Sequence, residues 1–490
     1  MGDGGRIMPE ADQVLALFEQ INRIPRCSGK ETQISDWLCS WADARELVHE
    51  RDETGNVLIR VPATPGLESA RTVVLQGHMD MVCEKTPNST HNFETDPIPL
   101  VFDGEWLHAE DTTLGADNGI AIALALAVAD SDAPHPELEI LVTVDEETGL
   151  TGVQKLSPDW LHGTHLLNID SEDEGVFTVG CAGGRDTILT LRIEREPLPD
   201  LFVTREVFVC GLHGGHSGVD IHLGRANANV LLARTLAMLR GSDDCKSTVH
   251  LVAIHGGQAH NAIPRDASAI IAGPPQVMRH LDREVARIQE VFRTEYGSLE
   301  PGLALALRSA AHPSEMITES SARQLLDLLR ALPHGVIRMS SEVPGLVETS
   351  TNLATVRVKN DEVRIRTSQR SSYATRLAEI AGRIKAIGRL AGAQTGNESS
   401  YPPWEPHMES ELLGRAVEAY QAVHGKEPAV EVVHAGLECG VIGSKYPGMQ
   451  MISFGPTIQN AHSPDERLYL PSLVRTCSFI DALLASYRES

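Results

Sequence analysis

The chain has 490 residues, enough for more than one domain and for a core that needs no disulfide stapling. Hydrophobic residues make up 42% and charged residues 22%, which excludes a disordered or collagen-like chain. With 67 Asp plus Glu against 42 Lys plus Arg and no concentrated basic stripe, the formal charge of -25 argues against a nucleic-acid partner, while carboxylates in excess can hold divalent cations.

Apolar residues recur at helical spacing over 11–24 and again over 34–41, and strands are predicted at 57–59 and 72–75, the latter running into QGHMDMV. A helix over 116–130 and strands at 138–144 and 165–169 follow. This alternation predicts an α/β layer whose chemistry sits at the C-terminal strand ends. The character changes after Gly180. Strands are expected at 186–193, 353–358 and 363–367, with helices over 225–239 and near 277–292, and the insert also carries a hydrophobic run over 201–209 and continues through 249–254. Turn-rich AGAQTGNESSYPPWEP closes this insert. Helix, strand and helix resume at 411–423, 430–433 and 470–487. The expected boundaries are a first catalytic segment over 1–184, an inserted domain over 185–398 and a second catalytic segment over 399–490.

The eight cysteines form no CxxC pair, and Met1 to Arg6 does not lead into an apolar targeting segment, so a cytoplasmic protein with reduced thiols is expected. The apolar run 120–128 is about half a membrane span and reads as a buried helix, with no membrane association.

Chemistry concentrates in GHMDMV, GADNGI, DEETGL, NIDSEDEG and NAHSPDE, centred on His78, Asp117, Glu146, Glu147, Asp170 and His462. Two imidazoles and three carboxylates suit a mixed N/O site for zinc, with one aspartate able to bridge a metal pair. Such a pair activates water and polarises a carbonyl, which points to hydrolysis rather than redox chemistry. Asp80 is close enough to His78 to fix its tautomer. Of Glu146 and Glu147, one can bind metal while the other moves protons. Each segment also has a plainer reading: a strand-end turn for His78 and Asp80, an Asx cap for Asp117, an acidic turn for Glu146 and Glu147, a surface loop for His462. Asp173 and Glu174 compete with Asp170.

Together with GLHGGHSG, NAIPR and HAGLECG, these motifs in this order resemble the M20 metallopeptidase family, and within it the non-specific dipeptidases, over almost the whole chain. The resemblance implies an α/β catalytic domain interrupted by a large inserted α/β lid. It gives the metal-ligand roles to His78, Asp117 as bridge, Glu147, Asp170 and His462, proton transfer to Glu146 and orientation of His78 to Asp80. It also implies two divalent ions per chain, with Zn2+ first and Mn2+ or Co2+ as other occupants. In the lid, His216 resembles the histidine that stabilises the scissile-carbonyl oxygen, as a cationic imidazole, and Asn261 resembles a substrate-backbone contact. Arg370 would bind a free C-terminal carboxylate, which favours dipeptides over long peptides. Its plainer alternative is a salt bridge. His434 and Glu438, the latter facing a free amino terminus, are secondary substrate contacts; a helix cap or dimer contact also fits Glu438. The expected activity is hydrolysis of unblocked dipeptides, Xaa-His included, through a metal-bridging water, and a homodimer is expected from family behaviour. Alternatives are an N-acyl-amino-acid amidohydrolase and an inactive metal-dependent peptide-binding protein.

Overall fold

The computed structural model describes residues 9–241 and 249–488; Met1 to Arg6 and Cys245 lie outside them. The chain divides into two compact units. Among the described residues, one comprises those up to 180, 406–432 and those from 437 onward, the other those between 181 and 405 together with 433–436.

The first unit is built on an eight-stranded sheet in the order Val48–Arg51, Val57–Val61, Leu138–Thr143, Val73–His78, His165–Asn168, Gln450–Ser453, Val176–Cys181 and Ala429–Val433. The 73–78 strand runs parallel to 138–143 and 165–168, and 450–453 runs parallel to 165–168. Each of the 73–78, 138–143 and 165–168 strands is buried along its whole length, as expected where both faces of a parallel sheet are covered. Helix Ala116–Ala129 is apolar on every side and buried from Asn118 to Val128, so it is an interior helix. Among the described residues, no helix is long and apolar enough to cross a membrane.

Cys27 and Cys83 are joined by a disulfide, which departs from the expected reduced thiols. Spacing gave no hint of it. The pairing arises because the segment at Cys27 forms a bridge with Met81, where the Met81 amide donates to the Arg26 carbonyl at 3.1 Å.

The second unit carries a nine-stranded antiparallel sheet. Its main path is Ala304–Ser309, Val203–Cys210, Ala267–Gly273, His250–Gly256, Val347–Lys359, Glu362–Ser371, Gly183–Arg192 and Gln394–Tyr401, and Gly335–Met339 also pairs with the 347–359 strand. Helices Ala228–Gly241, Leu281–Tyr296, Glu319–Ala331 and Ala374–Leu390 contribute Leu231, Phe292, Leu325 and Ile380 to its core beside Leu189 and Val207 of the strands.

Candidate metal centre

Register brings the chemistry of the first unit together. His78 lies opposite Thr143, and Gln76 opposite Asn168, so His78, the turn at Asp145 to Glu147 and Asp170 leave the sheet at one edge. Asp117 enters from the start of the 116–129 helix, where its own backbone angles are non-helical. His462 comes from the loop after the 458–459 strand, in the left-handed region with φ 64°.

Asp117 lies between the two imidazoles. Its Oδ1 is 3.1 Å from His78 Nε2 and its Oδ2 is 3.0 Å from His462 Nε2. His78 Nε2 also meets Asp170 Oδ1 at 3.4 Å, and His462 Nε2 also meets Glu147 Oε1 at 3.0 Å. Each ring nitrogen therefore faces two carboxylate oxygens while carrying at most one proton, and Glu147 Oε1 is left buried without a well-formed hydrogen bond. Such a surplus of acceptors fits cations. Burial opposes the charging of His78, yet Asp170 and Asp117 hold its pKa well above the ordinary value, while Asp117 and Glu147 push His462 up to about 11. A bound ion would take the place of these protons.

The other nitrogen of His78 fixes the ring. Nδ1 lies 3.1 Å from the Asp80 carbonyl oxygen and 3.3 Å from Asp80 Oδ1, leaving Nε2 directed at the acidic cluster. Asp80 is fully buried, which alone would raise its pKa, but His78, the Glu146 amide and the Ser28 hydroxyl hold it down to about 2. The same carboxylate accepts from the Glu146 and Glu147 amides at 3.0 and 3.2 Å, so it orients the acidic turn as well as the imidazole.

Three further residues brace the centre and escaped the sequence reading. Asn118 accepts from the His78 amide at 3.2 Å and donates to the Ile169 carbonyl at 2.7 Å, tying two strand ends together. Glu466 accepts from the amides of Leu114, Gly115, Ala116 and Asp117, at 2.8 to 3.2 Å. Arg26, 1% exposed, donates to the carbonyls of Met79 and Gly115. Sequence spacing does not reveal these bonds, because donor and acceptor lie far apart in the chain.

Burial, together with the Asp170, Glu438 and Glu147 carboxylates and against the pull of His78, raises Glu146 well above the usual carboxylate range. Glu438, expected as a secondary contact for a free amino terminus, is enclosed at the strand ends, and its Oε1 makes no hydrogen bond among the described residues. It has no exposed surface and spends Oε2 on Gln76 Nε2 at 2.5 Å and Thr143 Oγ1 at 2.7 Å, holding two neighbouring strands. Burial pushes its pKa from 4.5 up to about 7. A raised carboxylate pKa withdraws stability as pH climbs between the unfolded and folded values. Glu438→Gln keeps an acceptor for both bonds and removes the charge. Its melting temperature should match wild type near pH 4.5 and exceed it by on the order of a few degrees above about pH 7, as read by thermal melts across that range.

The second unit gathers His216, Asn261, Arg370 and His434. The Gly215–His216 strand pairs with Ala262–Ile263, and the Ser217 amide donates to the Asn261 carbonyl at 2.7 Å, which sets His216 beside Asn261. His434 Nε2 is 2.7 Å from Ser350 Oγ, and Arg370 Nη2 is 3.4 Å from His216 Nε2. Burial and Arg370 depress the His216 pKa to about 4, so the imidazole is neutral near pH 7, not cationic as expected. Its Nδ1 accepts from the Val219 amide at 3.1 Å, which puts the ring proton on Nε2. It remains a donor without a charge.

Comparison with known proteins agrees with this arrangement. The description Peptidase family M20/M25/M40 matches residues 74–486. The chain is 41% identical to the cytosol non-specific dipeptidase of Escherichia coli (strain K12) over 469 residues, 96% of each chain. The crystal structure of aminoacylhistidine dipeptidase from Vibrio alginolyticus superposes with TM-score 0.87 at 39% identity, covering 99% of this chain and 98% of that one. An aminopeptidase, PepT, from Bacillus cereus shares the fold at TM-score 0.58 and 14% identity, over 99% of this chain and all of the other. The ordered set of strand-end acids and imidazoles, the two α/β units and these likenesses place the chain in the M20 peptidase family.

Proposed function

We propose that the protein hydrolyses unblocked L-dipeptides, Xaa-His among them, at a two-metal centre held by His78, Asp117, Glu147, Asp170 and His462. The observation that carries this reading is the Asp117 carboxylate, one oxygen on the His78 and Asp170 side and the other on the His462 and Glu147 side. The names of the Escherichia coli and Vibrio alginolyticus relatives support a dipeptide substrate and, for the former, a cytosolic setting. Two imidazoles among three carboxylates favour Zn2+, with Mn2+ and Co2+ as competitors.

When bound, the ions polarise the scissile carbonyl and acidify water. Glu146 takes the proton of the attacking water and passes it to the leaving amine, a role open to it because its neighbour Glu147 is the one that meets His462. Asp80 keeps the His78 ring in its working tautomer. In the second unit, read here as the lid, His216 donates from Nε2 to the developing oxyanion, Arg370 takes the substrate carboxylate, and Asn261 and His434 line the same group.

Ala-His and beta-Ala-His, each compared with its N-acetylated form under identical metal loading, test the assignment. The free dipeptides are hydrolysed and the blocked forms are poor substrates. Turnover of the blocked forms alone would make the protein an N-acyl-amino-acid amidohydrolase. Metal binding with no turnover of any dipeptide, after reconstitution with zinc, manganese and cobalt, would make it a binding protein.

A further inference from the structure

Arg370, Gly184 and Tyr401 occupy one row across three neighbouring strands. Gly184 pairs with Arg370 of the 362–371 strand on one side and with Tyr401 of the 394–401 strand on the other. Because Gly184 has no side chain, the Tyr401 ring lies over it: a Cβ there would sit 2.4 Å from Tyr401 Cζ. Gly436, in HAGLECG, borders the same ring, where a Cβ would sit 2.7 Å from Tyr401 Cε2. Gly184 and Gly436 thus shape one slot for a tyrosine. Across Gly184, the Tyr401 hydroxyl accepts from Arg370 Nη1 at 2.8 Å.

That bond decides which edge of the guanidinium is free. Arg370 is 7% exposed, yet its Nε makes no hydrogen bond among the described residues. Its Nη2 faces His216 Nε2 at 3.4 Å, and because the Val219 amide already occupies His216 Nδ1, that Nε2 is itself a donor and cannot accept. Nε and Nη2 form the side-on edge of a guanidinium, whose two parallel N–H bonds match the two oxygens of a carboxylate. Burial raises the Tyr401 hydroxyl above its ordinary pKa, against the pull of Arg370, so the partner on Nη1 is a neutral phenol rather than a counter-ion that would cancel the charge.

We propose that Tyr401 is a positioning residue for substrate specificity: by binding Arg370 Nη1 it turns the unspent Nε and Nη2 edge toward the terminal carboxylate of the dipeptide. This rests on the reading of Arg370 as the carboxylate contact, and the two stand or fall in separate measurements. The holoenzyme and its Tyr401→Phe and Arg370→Ala variants are assayed on Ala-His and on its C-terminal amide. Tyr401→Phe, which fills the same slot, should raise KM for the acid about tenfold, the worth of one hydrogen bond, leave kcat near wild type and leave the amide unaffected. A merely structural tyrosine would shift both substrates together. Gly184→Ala, which displaces the ring while keeping its hydroxyl in the chain, should reproduce the acid-selective defect. If Arg370→Ala narrows the acid-to-amide preference and Tyr401→Phe does not, the positioning role is overturned. If Arg370→Ala penalises acid and amide equally, the carboxylate reading itself is wrong.

Discussion

Glu146→Gln lowers kcat for Ala-His by about a hundred- to ten-thousand-fold, the usual worth of a positioned general base, while metal content stays near wild type. The separation of these two readouts follows from the structure. Glu146 and Glu147 are adjacent, but it is Glu147 whose Oε1 meets His462 and joins His78 and Asp117 in a cluster of potential ligand atoms all within 4.8 Å of one another. The Gln side chain leaves the backbone amide of residue 146 on Asp80 untouched, so the turn that presents Glu147 keeps its anchor. Elemental analysis paired with initial rates measures both quantities. Near-wild-type turnover with both ions retained would remove Glu146 as the proton carrier.

Asp117→Ala has the opposite signature, the loss of both ions and with them of activity down to background. Asp117 is the one carboxylate here that meets both imidazoles, so its removal takes an oxygen from each side of the centre. The imidazole of His78, a residue 1% exposed, would keep Asp170 and Asp80 as its partners among the described residues. Asp117→Asn replaces one oxygen by a donor and should be nearly as damaging on the side where the amide nitrogen falls. Metal stoichiometry and anomalous diffraction at the metal edges check both variants; full occupancy of two ions with ordinary activity in Asp117→Ala would rule out the bridge.

The elements were legible wherever one period dominated. The apolar run before Asp130 became the 116–129 helix, and LEILVTV became the 138–143 strand. The acidic motifs could be read because each adjoins such an element and therefore had to emerge at a strand or helix end. Less legible was anything made by two distant segments. Glu466 meets Leu114 across 352 positions, and Tyr401 meets Arg370 across 31, only after three strands come into register. The Cys27 and Cys83 pair likewise depends on a bridge to Met81 that no spacing announces. Charge states were hidden for a related reason. His216 looks like a ready cation in GLHGGHSG, but burial beside Arg370 depresses its pKa to about 4, and nothing in HAGLECG tells that Glu438 is enclosed by Gln76 and Thr143.

The parallel pairing of Gln450–Ser453 with His165–Asn168 spans the whole insert. During synthesis, therefore, the ribosome has released His78, Asp117, Glu147 and Asp170 long before it makes the strand that seats beside 165–168 or the loop that bears His462. The intervening antiparallel unit has its own core and can form in that interval, as domains do when they fold in order of emergence. An unfinished chain thus carries most of the acids but neither the second imidazole nor Glu466, which grips the Asp117 loop. On the proposed ligand set, hydrolytic competence needs the segment that carries His462 and Glu466, and a product cut short by premature termination before residue 462 should hold no complete metal centre and hydrolyse no dipeptide.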